Sequence, residues 1–431
     1  MENYITVIGG GLAGCEAAYQ IAKNNIKVKL YEMKPKNYSP AHTNKNLAEI
    51  VCSNSFKSNL ITNACGLLKQ ELRLLDSLLI KCADDTAVPA GQALAVDREK
   101  FSQIVTEKIE NNPNIEVIRE EFVNNEDINN GIVIIATGPL TSEKLAQQIG
   151  ILTETENLHF FDAAAPIIEK SSINMNIAFF GDRYGKGDSS YINLPMNKEE
   201  YEMFYNELIN AEVATLHEFE KREIFEGCMP VEVMGKRGID TLRFGPLKPV
   251  GFDDPRTGKR PYAIVQLRQD NEEGTLFNMV GFQTNLKFGE QKRVFSLIPG
   301  LENAEFVKYG VMHRNTFINS PRLLDETFNM RSKENIFFAG QITGVEGYVE
   351  SIASGLVAGI NAVEKFNCTS KKIIFSNKTM IGALSKYIAS SNEHFQPMNA
   401  NFGILPELDT KIRDKKERYE ALAKRAIEEL K

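Results

Sequence analysis

Apolar positions in this chain fall into short runs, and at three places glycine follows the run. Residues 4–8 (YITVI) lead into Gly9-Gly10-Gly11-Leu12-Ala13-Gly14. A small-residue helical stretch (CEAAYQIAKNN) follows, and then residues 27–31 (KVKLY), a strand closed by Glu32. Short continuous apolar runs bounded by turn residues are the pattern of strands buried on both faces. Residues 131–139 (GIVIIATGP) are a second such strand entering a glycine turn at Gly138. Residues 335–350 (NIFFAGQITGVEGYVE) are a third, with Gly340, Gln341, Gly344, Gly347 and Tyr348 ahead of the helical stretch SIASGLVAGINAV.

The first of these has a chemical meaning. In strand, G-x-G-x-x-G, helix, strand and acid, the first glycine makes the turn and the second admits a pyrophosphate. The third lets helix and strand pack closely. The helix start turns its positive end toward the phosphates. Glu32, 18 residues beyond Gly14, is placed to accept a bond from a ribose hydroxyl. The same plan over three hundred residues later brings a second helix start to the other end of a cofactor, which is what a two-segment flavin domain needs.

The middle of the chain reads differently. Residues 184–319 are rich in turn signals (GKGD, GPLKPVGFDDPRTGKRP, LIPG) and hold strand-like runs such as YAIVQL and NMVGF. The expected class is α/β: a Rossmann-like domain in two segments, 1–184 and 320–431, with an inserted α+β domain over 185–319. Residues 199–225 are expected to be helical. The end of the chain (RDKKERYEALAKRAIEELK) predicts an amphipathic tail helix, with Tyr419, Leu422, Ala423 and Ile427 near helical spacing.

Totals narrow the function. A chain of 431 residues is long for one core. The net charge of −7 advertises no nucleic acid globally. Residues 235–293, however, hold 11 Lys and Arg against 7 Asp and Glu, a net +4. Arg256, Lys259 and Arg260 flank a turn there and could follow phosphates. Of six cysteines no two have C-x-x-C spacing, so neither a metal site nor a disulfide framework is expected. Free thiols suit a reducing cytoplasm. No signal peptide is read at the N-terminus, and no apolar stretch approaches the roughly 20 residues of a membrane span. Cys228 sits in EGCMPVE between Gly227 and Met229-Pro230. From that stretch alone it is either a small buried hydrophobe or an accessible thiol on a turn.

Many blocks of the chain resemble one family nearly end to end, the folate- and flavin-dependent RNA uridine 5-methyltransferases called TrmFO. They include VIGGGLAGCEAA, LAEIVCSNSFKSN, FEGCMPVE, TLRFGPLKPVG, DPRTGKRPYAIVQLRQDN, VMHRNTFI, FFAGQITGVEGYVES and FQPMNANFGILP. The resemblance implies FAD in the two-segment domain, 5,10-methylenetetrahydrofolate as one-carbon donor and NADH or NADPH as reductant. It implies the T-loop uridine of tRNA as the usual acceptor. No membrane association and no obligate protein partner are expected. Cys228 matches the family's nucleophile, and Cys52, in EIVCSNSFKS, its second cysteine near the flavin. His313 could stack on folate or shuttle a proton. Arg314 could meet a folate carboxylate or an RNA phosphate. Cys15, Cys65 and Cys82 lie on helical apolar stretches and are read as packing. Gln92, Asp182, Leu194 and Phe288 depart from the family pattern. They leave a large-subunit rRNA target open beside tRNA. A wobble-uridine flavoenzyme and a non-catalytic flavoprotein are the other readings.

Overall fold

The computed structural model describes residues 3–39, 41–123, 128, 131–154, 158–185, 190–214, 229–391 and 395–431, apart from the side chains of 158–162, 313 and 314. Its first sheet has six strands in the order Asn329–Met330, Lys333–Phe338, Val133–Ile135, Tyr4–Ile8, Lys27–Tyr31 and Ile115–Ile118. All neighbours are parallel except the hairpin at the Asn329 edge. Val133 pairs with Thr6 on one side and Ile336 on the other, so distant chain segments share one sheet. Parallel strands must be covered on both faces, which is why these runs are apolar without alternation.

Helices Leu12–Ala22 and Tyr348–Phe366 pack on this sheet and on each other. Their approach needs small residues. A Cβ at Gly355 would stand 2.2 Å from the Ala13 carbonyl oxygen, and one at Gly359 would stand 3.0 Å from the Ala17 Cα.

The second sheet is antiparallel, in the order Phe179–Phe180, Tyr191–Met196, Ala263–Gln269, Leu276–Met279, Ile167–Glu169 and Phe306–Lys308. It has a core of its own, including Ile168, Leu194, Phe204, Val265, Phe282 and Phe295. An antiparallel ribbon of Leu158–Ala163 with Met312–Phe317 joins it to the first domain.

Two expectations are corrected here. The boundary at residue 185 cuts the second sheet, because Ile167–Glu169 and Phe179–Phe180 already belong to it. Strands of three and two residues are too short to show alternation in the sequence. The helix expected over 199–225 runs over Lys198–Asn210 and stops. Ala211 is extended, and Val213 bridges to Leu286. Residues 215–225 lie outside the described residues. The C-terminal helix, Lys415–Glu429, is docked: it buries Leu422, Ala423 and Ala426, and Tyr419 stacks on Phe402 at 4.3 Å.

Candidate active site

A groove opens at the carboxyl ends of the parallel strands. The glycine turn forms its floor. Gly9 has φ +105°, and a Cβ there would stand 2.5 Å from the Ala136 carbonyl oxygen. A Cβ at Gly14 would stand 1.8 Å from the Gly9 carbonyl oxygen. Gly10 is hemmed in by Leu47 and Glu32, whereas Gly11 has nothing within 4 Å and faces open space. No side chain caps helix Leu12–Ala22 and no acid stands in its first turn, so its positive end is left to an anion.

Glu32 is buried at one end of the groove. It accepts from the Gly10 amide at 3.1 Å and from the Lys34 amide at 2.9 Å. Gly138 forms part of the opposite wall with Thr137 and Thr141, and Gly340, Gln341, Tyr348 and Ser351 line the far end. The groove thus gathers Gly9 to Ala13, Glu32, Gly138, Gly340, Gln341 and Tyr348, with Gly14 packed directly beneath. Gly344 and Gly347 are not among its lining residues. Gly344 has φ +84° and would drive a Cβ to 2.5 Å from Phe395, and Gly347 precedes helix Tyr348–Phe366 at φ +121°. Both shape the loop that carries Tyr348.

Glycine contacts of this kind separate two substitutions. Gly14→Ala is expected to lower stability by about 1–3 kcal/mol and to lose the bound dinucleotide, because backbone must move. Gly11→Ala is expected to keep the melting temperature and lower only dinucleotide affinity. Thermal melting with cofactor content checks both.

Cys52 stands half-buried where the groove meets the second domain, and its loop is held from three sides. Tyr348 Oη accepts from the Cys52 amide at 3.0 Å and the Ser53 amide at 3.2 Å. Burial, with Cys52 beside it, raises the Tyr348 phenol well above its usual value, so it stays neutral. Arg98 donates to the Cys52 carbonyl at 3.1 Å and the Ile50 carbonyl at 3.0 Å. Its Nε pairs with Asp270 of the second domain at 2.9 Å. Arg268 donates to Asn54 Oδ1 at 2.9 Å and to Ser53 Oγ at 2.5 Å. Cys52 Sγ lies 3.7 Å from the Ala163 carbonyl oxygen.

Cys228 lies outside the described residues. The chain resumes at buried Met229, and Pro230 opens the short helix Val231–Gly235. The Val231 amide donates to the Gln283 carbonyl at 2.7 Å. The buried Glu232 carboxylate accepts from the Asn285 amide and the Thr284 hydroxyl, each at 2.8 Å. Burial raises its pKa. On the other side of the segment, the Ala214 amide donates to the Asn285 carbonyl at 2.8 Å. Both flanks are therefore tied to residues 283–285, and the Thr284 amide reaches the Ala164 carbonyl, next to Cys52's contact at Ala163.

The remaining candidates divide. His313 and Arg314 lie on strand Met312–Phe317, paired with Asp162 and Phe161, and their side chains are outside the described set. Arg256 is exposed and pairs with Asp254, with Nη2 at 2.8 Å from Oδ2. Lys259 and Arg260 are exposed. Cys15, Cys65 and Cys82 are buried, and burial pushes the Cys65 thiol to about 11 and Cys82 to about 12. Of the four departures from the family pattern none lines the groove. Arg98, Asp270, Arg268 and Asn54 were not read as site residues from the sequence. Asp270 and Arg268 stand in the long block ending LRQDN and Asn54 in the CSNS stretch, whereas Arg98 ends the separate stretch PAGQALAVDR.

Comparison with known proteins follows this geometry. A family model described as "GIDA: Glucose inhibited division protein A" matches residues 4–370. The chain is 63% identical over 432 residues to "Methylenetetrahydrofolate--tRNA-(uracil-5-)-methyltransferase TrmFO" of Acetivibrio thermocellus, covering 100% of this chain and 98% of that protein. The identically named protein of Enterococcus faecalis is 58% identical over 429 residues, covering 99% of this chain and 98% of that protein. Among solved structures, Aquifex aeolicus GidA superposes with a TM-score of 0.71 at 16% identity, over 100% of this chain and 76% of that one, a likeness of fold. The chain belongs to the GIDA family and, within it, to the TrmFO group.

Proposed function

We propose that this protein transfers the one-carbon unit of 5,10-methylenetetrahydrofolate to carbon 5 of a tRNA uridine, with FAD as cofactor and NADH or NADPH as reductant. The observation that carries it is the Cys52 loop, pinned to the dinucleotide groove by Tyr348 and to the second domain by Arg98, Asp270 and Arg268. An ordinary oxidoreductase has no need of a thiol held at that joint. The relatives of this length and identity are named for tRNA. No observation favours rRNA, the wobble-uridine class or a non-catalytic role.

The groove fits FAD. Glu32 would meet its ribose, the Gly11–Gly14 turn its pyrophosphate, and Gln341, Tyr348 and Ser351 its far end. Gly11 is the one glycine of the turn that leaves open space for it. When bound, FAD supplies the reducing equivalents that bring a methylene unit to a methyl group.

The protein's own work is on uracil. Carbon 5 is a weak nucleophile until a thiolate adds at carbon 6, and we assign that thiolate to Cys228. Addition leaves carbanion character at carbon 5, which bonds to the methylene carbon. The carbon 5 proton then leaves to a base beside the ring, a role we assign to Cys52, and the methylene carbon's bond to its folate nitrogen breaks, the electron pair leaving with that nitrogen. A hydride arriving at the methylene carbon, from the reducing equivalents that FAD would supply, makes the methyl group and expels the Cys228 thiolate, which restores the 5,6 double bond. We assign His313 and Arg314 to folate or RNA, and Arg256, Lys259 and Arg260 to RNA phosphates. No helix among the described residues is long and apolar enough to cross a membrane. We place the reaction in the cytoplasm, with tRNA, and invoke no further protein chain.

The donor is tested directly. With tRNA and NADPH, label from methylenetetrahydrofolate is expected in 5-methyluridine. Labelled S-adenosylmethionine in its place is expected to give none, and incorporation from it would overturn the donor.

A further inference from the structure

The second domain exposes an aromatic ring that its core does not use. Phe244 ends the short helix Thr241–Phe244 and is 78% exposed, while Leu242 of the same turn is fully buried. The ring lines an open hollow with Arg243, Lys248, Arg260 and Tyr262. One wall is fixed. Arg243 lies 3.5 Å above the Tyr262 ring, donates to the Tyr262 carbonyl and pairs with Asp240. Lys248 and Arg260 are exposed, and among the described residues neither side chain pairs with a carboxylate. Among the described residues, no Asp or Glu lines the hollow. The dinucleotide groove shares no residue with it.

An exposed ring beside two unpaired cations is what an unpaired nucleotide needs. Its base has a π-face for the ring, and its phosphates suit Lys and Arg. The charge agrees, since this region is net positive in a chain of net −7. The hollow is also tied to the reacting part of the domain. Leu242 packs on Gly235, in the helix that begins three residues after Cys228, with 3.7 Å from Leu242 Cδ1 to a Cβ built at Gly235. Resting on the reading that the substrate is tRNA, we propose that this hollow is a second RNA contact, which stacks an unpaired tRNA base on Phe244 and holds its phosphates on Lys248 and Arg260. The contact grips RNA outside the reacting uridine and sets its position.

The test is tRNA binding by filter assay at several salt concentrations, with flavin content and melting temperature as controls on folding. Phe244→Leu keeps an apolar side chain without the ring and is expected to raise the tRNA Kd about tenfold. Phe244→Trp is expected to restore it. Lys248→Gln with Arg260→Gln is expected to weaken binding and to flatten the salt dependence by about two phosphate contacts. Wild-type affinity in Phe244→Leu overturns the proposal. So does a change in its NADPH KM or oligomeric state with tRNA affinity intact. If the wild-type protein methylates tRNA and Phe244→Leu binds normally, only the hollow is lost. If the wild type neither binds nor methylates tRNA, the RNA reading falls with it.

Discussion

Cys228→Ala is expected to keep its flavin spectrum and its tRNA affinity and to lose methyl transfer by more than about a thousandfold. The size follows from the acceptor. Without a thiolate on carbon 6, little electron density collects at carbon 5. Fold should survive, because the flanks of the segment are held by backbone and side-chain bonds among Val231, Glu232, Gln283 and Asn285. Cys52→Ala makes an informative partner. The clamp on its loop grips the Cys52 amide and carbonyl, so the loop should hold its place when the thiol is gone. Single-turnover methylation of both variants, with flavin content measured beside it, checks this. Methylation at wild-type rate in Cys228→Ala would show that the nucleophile lies elsewhere.

Arg98→Ala is the second large effect, and it acts on stability and activity together. The guanidinium and Asp270 are both nearly buried, with side-chain exposures of 13% and 4%. Removing Arg98 leaves a lone carboxylate in the joint between domains and strips two carbonyls of their donor. Breaking a buried pair from one side costs about 3–5 kcal/mol. Denaturant unfolding should show that loss, and Arg98→Ala with Asp270→Ala should recover part of it, because no uncompensated charge remains. The Cys52 loop would lose its hold on the second domain. Methylation is expected to fall about a hundredfold, as for a displaced reacting group. Faster alkylation of Cys52 by iodoacetamide would report the loosened loop. Unfolding at wild-type denaturant concentration would mean that the pair contributes little.

What the sequence made legible was local. The turn from Gly9 to Gly14 was readable because each position answers a demand within a few residues or across one strand. Glu32 was readable from its spacing to the turn. The second sheet's early strands were not, since Ile167–Glu169 is too short to carry a period and pairs with Leu276–Met279, over a hundred residues later. The overlong helix came from helical composition that continues past Asn210, where pairing of Val213 with Leu286 overrides it. The clamp was invisible for a related reason. Arg98 and Asp270 are 172 residues apart, and Arg268 and Asn54 are 214 apart. Each looks like an ordinary solvated polar residue until the domains meet. Arg256 is the local counterpart: its partner Asp254 stands two residues before it.

The most direct measurement of the central claim supplies purified protein and NADPH with methylenetetrahydrofolate labelled in its one-carbon unit. Unmodified tRNA and unmodified large-subunit rRNA are offered in parallel, and 5-methyluridine is mapped in each. Label at a single uridine in the T loop of tRNA, with none in rRNA, is the predicted result. Label confined to rRNA would contradict the acceptor, and label in neither RNA from a flavin-loaded protein would contradict the methyltransferase itself.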